Sequence, residues 1–240
     1  MPSNSTALPL LAFGAHPDDI EFGCGGIVAH ETRAGRPAHL VVCSRGESGT
    51  RGTPAQRTRE AKTAAKLLGA TLEFLALDGD AHLEIRAAHA LKLAAIIRRV
   101  RPAFVLAPST VENQHPDHWR LGVMVRDAAR LARYGGVKEL RRAPPHAIGQ
   151  LFFYAVTPDT EQRNVTPVFI DISDVQVPWL DAMQAHQSQL TKDRPHHLLQ
   201  ISRASILGQR LGVPFAQALW PNDPQIFGSL APLARAARHF

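Results

Sequence analysis

Two short segments of this sequence concentrate side chains that can do chemistry. His16-Pro17-Asp18-Asp19 holds an imidazole and two carboxylates, and His115-Pro116-Asp117-His118 holds two imidazoles and a carboxylate. Imidazole and carboxylate both bind Zn²⁺, at roughly 2.0–2.2 Å. A turn carrying His16 and Asp19 can reach one ion and leave Asp18 beside it as an unligated base. A catalytic zinc takes three protein ligands and keeps a position for water. The third ligand must then come from elsewhere, and the second segment offers His115 or His118. Spacing alone does not rank those two. Taken singly, each segment has a plainer reading: Asp18 or Asp19 as a helix cap, and a lone histidine as one of the 12 scattered through the chain. The metal reading rests on finding both clusters together.

The elements that must position them follow an alternating pattern. Short apolar runs predict strands at Leu10–Ala15, Ala38–Cys43, Leu72–Leu77 and Ala103–Ala107. Between and after them, helical patterns run over Ile20–Ala34, Ala55–Leu68, His89–Arg99 and about Leu121–Arg133, with Gly35 and Gly69 as stops. Strand and helix in this rhythm predict an α/β fold: a Rossmann-like parallel sheet flanked by helices on both faces. A less regular C-terminal part follows, with strands at Gln150–Val156 and Val168–Ile172 and helices at Trp179–Gln189 and Ile201–Arg210. One domain over residues 1–240 is expected. In such sheets ligands bind beyond the carboxyl ends of the strands. That rule singles out the loops starting at His16, Ser44, Asp78 and Pro108. The first of these lacks the G-x-G-x-x-G turn of dinucleotide-binding proteins, and its two carboxylates would repel a pyrophosphate.

Composition narrows the class. With 45% hydrophobic and 20% charged residues the chain reads as an ordinary globular protein. The net charge of +6 comes mostly from scattered Arg, and only 6% of residues are aromatic, so no nucleic-acid-binding stripe is evident. No apolar run is long enough for a transmembrane helix. The two cysteines, Cys24 and Cys43, sit among small or apolar residues and read as buried thiols in a reducing compartment. A cytoplasmic location is expected.

At Ala15–Asp19 and His115–His118 the chain resembles the LmbE/PIG-L-like zinc-dependent N-acetylglucosaminyl deacetylases. The likeness extends through Gly46–Thr53, the Arg57-x-x-Glu60-Ala61 helix start, Asp171-Ile172-Ser173 and Ser188-Gln189. It looks closest to the bacillithiol-biosynthesis branch, which acts on an N-acetylglucosaminyl malate conjugate. Gln217 departs from that branch, which often has Glu there, and Asn113-Gln114 depart from a branch that carries a Tyr.

The resemblance implies one Zn²⁺ per chain held by His16, Asp19 and His118. It implies Asp18 as general base, His115 as general acid or oxyanion stabiliser, and Asp117 as the group that orients His115. Glu47 would bind sugar hydroxyls, and Arg57 a substrate carboxylate, with Arg51 and Arg59 as weaker candidates. Asp80 would stand behind the ligands. His186 and Trp220 read equally as cleft or core, and His196-His197 as a poor chelator. The implied reaction is removal of an N-acetyl group from an N-acetylglucosamine derivative by a zinc-activated water. The alternatives are an amidase of a mycothiol- or bacillithiol-type S-conjugate and a non-catalytic or nucleic-acid-binding protein. The expected partner is a small amino-sugar, with no nucleic acid and no membrane. Relatives of this kind lead us to expect a homo-oligomer, such as a hexamer.

Overall fold

The structure is a computed structural model and describes residues 7–112, 115–190, 195–233 and 236. The Asn113-Gln114 departure lies outside them. The elements run β1 (Leu10–Gly14), α1 (Asp19–Arg33), β2 (Ala38–Val42), α2 (Pro54–Leu67), β3 (Thr71–Phe74), α3 (Ala87–Val100), β4 (Phe104–Pro108), α4 (Pro116–Arg133), β5 (Gln150–Tyr154), β6 (Val168–Asp171), α5 (Gln176–Gln184), α6 (His196–Leu211) and β7 (Ala216–Pro221). The strands form one sheet in the order β3-β2-β1-β4-β5-β7-β6.

Strands β1 to β5 pair in parallel, as the alternating pattern requires. β7 has no counterpart among the expected strands, and it runs antiparallel to both β5 and β6, which makes the sheet mixed. Its alanines carry little strand propensity, and Pro214 and Pro221 bracket it like a loop. The chain leaves β1 toward β2 and β3 on one side and returns through β4 on the other. The crevice beyond the carboxyl ends of β1 and β4 is therefore a topological switch point.

The period-2 alternation of strands sets the two cores. Leu10 and Ala12 of β1 face one way, against α1, α2, α5 and α6; Leu11 and Phe13 face the other, against α3 and α4. α1 is a helix of small residues for a packing reason. A side chain at Gly23 would meet the Tyr154 ring at 2.2 Å, and one at Gly25 would meet Trp179 at 2.9 Å. The helix kinks at Cys24, and Gln217 Oε1 accepts the Ile27 N–H at 3.0 Å. His186 and Trp220 are buried and belong to the interior, and both cysteines are buried free thiols.

One boundary matters for the site. α4 begins at Pro116, five residues before the expected start, so the second His/Asp cluster is not a free loop. His115 is the residue before the helix, while Asp117 and His118 lie in its first turn. Proline at the first helical position is favourable because its missing N–H would have no helical partner. No helix among the described residues is long and apolar enough to cross a membrane.

Candidate active site

The turn after β1 is held from two sides. The Asp19 carboxylate folds back and accepts the N–H groups of Ala15 at 2.8 Å and His16 at 2.9 Å. Arg57, reaching over from α2, donates to the Pro17 carbonyl at 2.9 Å. Between these two anchors Asp18 adopts φ 118°, ψ −25°, a left-handed conformation that costs a non-glycine residue of order 1–3 kcal/mol. Its side chain makes no helix-cap hydrogen bond, so the cap reading of the two aspartates is set aside. Asp18 Oδ2 lies 3.4 Å from Arg57 Nη2.

The first turn of α4 brings its histidines onto this turn. His118 Nε2 lies 3.2 Å from His16 Nδ1 and 3.1 Å from Asp19 Oδ1, while His16 Nδ1 lies 3.5 Å from Asp19 Oδ2. A tetrahedral ion with bonds of roughly 2.0–2.2 Å holds its ligand atoms about 3.4 Å apart. The two imidazole nitrogens thus lie near the spacing such an ion requires, and Asp19 faces His118 through Oδ1 and His16 through Oδ2. On the other edge of the ring, His16 Nε2 meets Asp80 Oδ1 at 3.1 Å and Asp117 Oδ2 at 3.2 Å. Asp80 arrives from the loop after β3, the loop predicted to contribute it. A carboxylate on the far nitrogen fixes the tautomer of a ligating histidine and leaves Nδ1 as the donor to the ion. Two other overlapping sets among the described residues, neither of which includes Asp19, could also hold a metal: His16, His115 and His118, and His16, Asp80, His115 and Asp117.

Charge follows this packing. Burial alone would lower the His16 pKa, but Asp19, Asp117 and Asp80 outweigh it and raise it well above the ordinary value. His115 goes the opposite way, lowered by burial and by the neighbouring His16 and His118. It is more open than His118, 38% exposed at the side chain against 13%. Burial pushes the Asp18 carboxyl up to about 6 against the pull of Arg57, with the Asp19 charge adding to the push.

Three expected roles look different in three dimensions. Asp117 Oδ2 accepts the Ala81 N–H at 2.8 Å and lies 3.2 Å from His16 Nε2, so it orients His16 as well as standing near His115. Arg57 is buried at 5% exposure in a cradle of glycines, where a side chain on Gly46 would come within 2.0 Å of its Nη1. Pinned to Pro17 and Asp18, it is not presented to a substrate carboxylate. Glu47 accepts the backbone N–H of Arg45 at 3.0 Å and of Asp80 at 3.2 Å, tying the loops after β2 and β3 together. It lines a separate cavity beside Asp80.

The cavity that opens over Asp18 has a volume of about 680 Å³ and is walled by Phe22, Arg51, Thr157, Gln189, His196 and Gln200, among others. Of these, sequence reasoning weighed Arg51, Gln189 and His196. The remaining wall, from α1, from the loop after β5 and from α6, carries no motif that marks it. The Ser188-Gln189 pair braces it: Glu60 accepts the Ser188 N–H and hydroxyl at 3.0 and 2.6 Å, and Gln189 donates to the Arg51 carbonyl at 3.0 Å.

Comparison with known proteins agrees with this geometry. The family model for PIG-L, described as GlcNAc-PI de-N-acetylase, matches residues 11–129. The diacetylchitobiose deacetylase of Thermococcus kodakarensis is 30% identical over 200 residues, 77% of this chain and 71% of that protein. The 4-oxalmesaconate hydratase of Pseudomonas putida is 31% identical over 189 residues, 72% of this chain and 70% of that one. Among solved structures, a conserved protein of Thermus thermophilus superimposes with a TM-score of 0.81 at 31% identity, covering 95% of this chain and all of that one. With the matching model, the 30% identity to a deacetylase and the His/Asp cluster at the switch point all in agreement, the chain belongs to the PIG-L/LmbE-like deacetylase family of amide-hydrolysing enzymes.

Proposed function

We propose that the protein removes the N-acetyl group from an N-acetylglucosamine derivative, using one Zn²⁺ held by His16, Asp19 and His118. The observation that carries this reading is the mutual approach of those three side chains at 3.1–3.5 Å, with Asp18 beside them under an open cavity. When bound, zinc supplies Lewis acidity and brings the pKa of a water toward ~7.

The chain's own residues do the rest. Asp18 is set by its strained backbone and by Arg57 to accept a proton from the attacking water. The water oxygen bonds to the acetyl carbon, and the C–N bond then breaks. His115, its pKa lowered by burial and by the neighbouring His16 and His118, donates to the oxygen or nitrogen on which charge develops. The proton that Asp18 took completes the leaving amine, so acetate and a free amino sugar are formed. Asp117 and Asp80 hold the His16 ring in the tautomer that this arrangement needs.

A malate-type aglycone, as in the bacillithiol branch, is the finer reading. With Arg57 engaged, Arg51 is the exposed guanidinium in the cavity wall suited to grip its carboxylates. The test is amine release from N-acetylglucosamine, its malate conjugate and diacetylchitobiose by protein purified without chelator. Release that disappears in Asp18→Asn supports the proposal, and preference among the sugars names the branch. The comparable identity to a hydratase favours a second reading, addition of water without amide cleavage. Turnover of 4-oxalmesaconate with no amine from any sugar would establish that one instead. Amine released only from a thiol S-conjugate would point to the amidase reading.

A further inference from the structure

At the other end of the sheet α4 carries a second concentration of charge. Arg126, Arg130 and Arg133 are spaced by four and three residues and so share one face of the helix. They line a cavity of about 290 Å³ together with Gln150 at the start of β5 and Asn222 and Asp223 after β7. α4 begins at the carboxyl ends of the strands and runs back along them, so this cavity lies at the amino end, away from the His/Asp cluster.

Arg130 and Arg133 are exposed and Arg126 is half-buried, and Asp223 is the lining carboxylate whose charge acts on Arg133. Among the described residues no ion pair and no hydrogen bond joins Arg126 or Arg130 to another side chain or carbonyl, and Arg126 Nε is buried without an acceptor. Arg133 reaches Tyr134, with a nitrogen 3.4 Å from the hydroxyl and its guanidinium carbon 5.1 Å from the ring centroid. Asp223 is the single carboxylate in the described lining, and its Oδ2 already accepts Asn222 Nδ2 at 2.9 Å. Arg130 and Arg133 sit in the last turn of α4, where the helix dipole favours a cation. Arg126 lies a further turn back, beyond the reach of that effect. A buried donor with no acceptor is unfavourable, and so is a set of like charges around one space. One ligand relieves both.

We propose that this cavity binds a compact oxyanion carrying two negative charges, inorganic phosphate or the phosphate monoester of a small molecule. The guanidinium fork matches phosphate oxygens in pairs, and the volume admits a small ligand only. With three arginines against one aspartate, the lining has the net charge to balance such an anion.

The test is calorimetric titration of the metal-loaded protein with inorganic phosphate and, separately, with glycerol 3-phosphate, at constant ionic strength set by chloride. Wild type, Arg126→Gln and Arg130→Gln are compared, with thermal melts to show that each variant is folded. The expected result is saturable binding of about one anion per chain, weakened at least tenfold in either variant. Tighter binding of the ester than of phosphate would assign the cavity to a phosphorylated metabolite; the reverse would assign it to free phosphate. Equal affinity in all three proteins would place the anion at the metal cluster and overturn the proposal. So would heats that chloride alone reproduces.

Discussion

Arg57 and Arg98 are both buried, at 5% and 2% exposure, and the fold treats them in opposite ways. Arg98, on α3, is saturated. Its guanidinium donates to the carbonyls of Ala132 at 2.9 Å, Leu140 at 2.6 Å, Ala143 at 3.0 Å and Tyr134 at 2.7 Å, closing the end of α4 and the turn after it. Arg57 makes one good bond, to the Pro17 carbonyl, and a longer approach to Asp18, and its Nε has no partner among the described residues. Around it the backbone of Asp18 is strained, and Asp117 Oδ1 is buried without a hydrogen bond from those residues. Arg98 is spent on stability. The groups around Arg57 are left under-satisfied and strained, as expected where a geometry is held for chemistry.

That contrast predicts effects of different kinds. The largest falls on Asp18. Asp18→Asn should lower kcat by about 10³–10⁴, at the upper end of what a positioned base contributes, while the melting temperature stays level or rises as the charge is lost. A near-normal kcat in this variant would remove Asp18 from the chemistry. Next comes Arg98→Met, which leaves four carbonyls without their donor. It should destabilise by about 3–5 kcal/mol and lower the melting point by about 10 °C, with the folded enzyme keeping its kcat.

Arg57→Met should show the opposite profile: kcat down about 10²-fold, equivalent to about 2.7 kcal/mol, with KM changed little. Were KM to rise while kcat held, Arg57 would grip substrate after all, and the comparison would fail on its functional side.

The smallest effect is expected at Asp78. It anchors the loop bearing Asp80 by accepting the Glu84 N–H at 3.0 Å and facing His89 Nε2 at 2.8 Å. Burial would raise its pKa, but the Glu84 N–H, His89 and Arg86 outweigh that and lower it. A carboxyl whose folded pKa is depressed stabilises above its unfolded value and loses that contribution as pH falls through the folded one. Asp78→Asn should therefore melt about 2 °C lower at neutral pH. The gap should close in acid below the ordinary carboxylate range. A gap independent of pH would assign the loss to packing.

Much of this was legible in the residues, for reasons of range. The His16–Asp19 and His115–His118 clusters are local, and the strand-helix rhythm places both at the carboxyl ends of neighbouring strands. Their convergence followed from topology alone. The roles of Arg57 and Glu47 were not legible, because they depend on how the loop after β2 folds over the turn after β1. Gly46 and Gly52, both at positive φ, shape that loop around the guanidinium. The orientation of Asp117 was hidden for a related reason. With Pro116 opening α4, the carboxylate is carried toward His16 and the Ala81 N–H, a neighbour from another loop. β7 escaped because its signal is weak, although Gln217 within it stands out as a departure. Its amide supports the kink of α1, a long-range contact that spacing along the chain does not encode.

The central claim is that His16, Asp19 and His118 hold the ion while His115 serves the substrate. Metal content per chain in wild type, His118→Ala and His115→Ala tests it most directly. The account predicts about one zinc in wild type and in His115→Ala, and loss of most of it in His118→Ala. Zinc kept by His118→Ala and lost by His115→Ala would contradict it and move the ion to the other edge of the His16 ring.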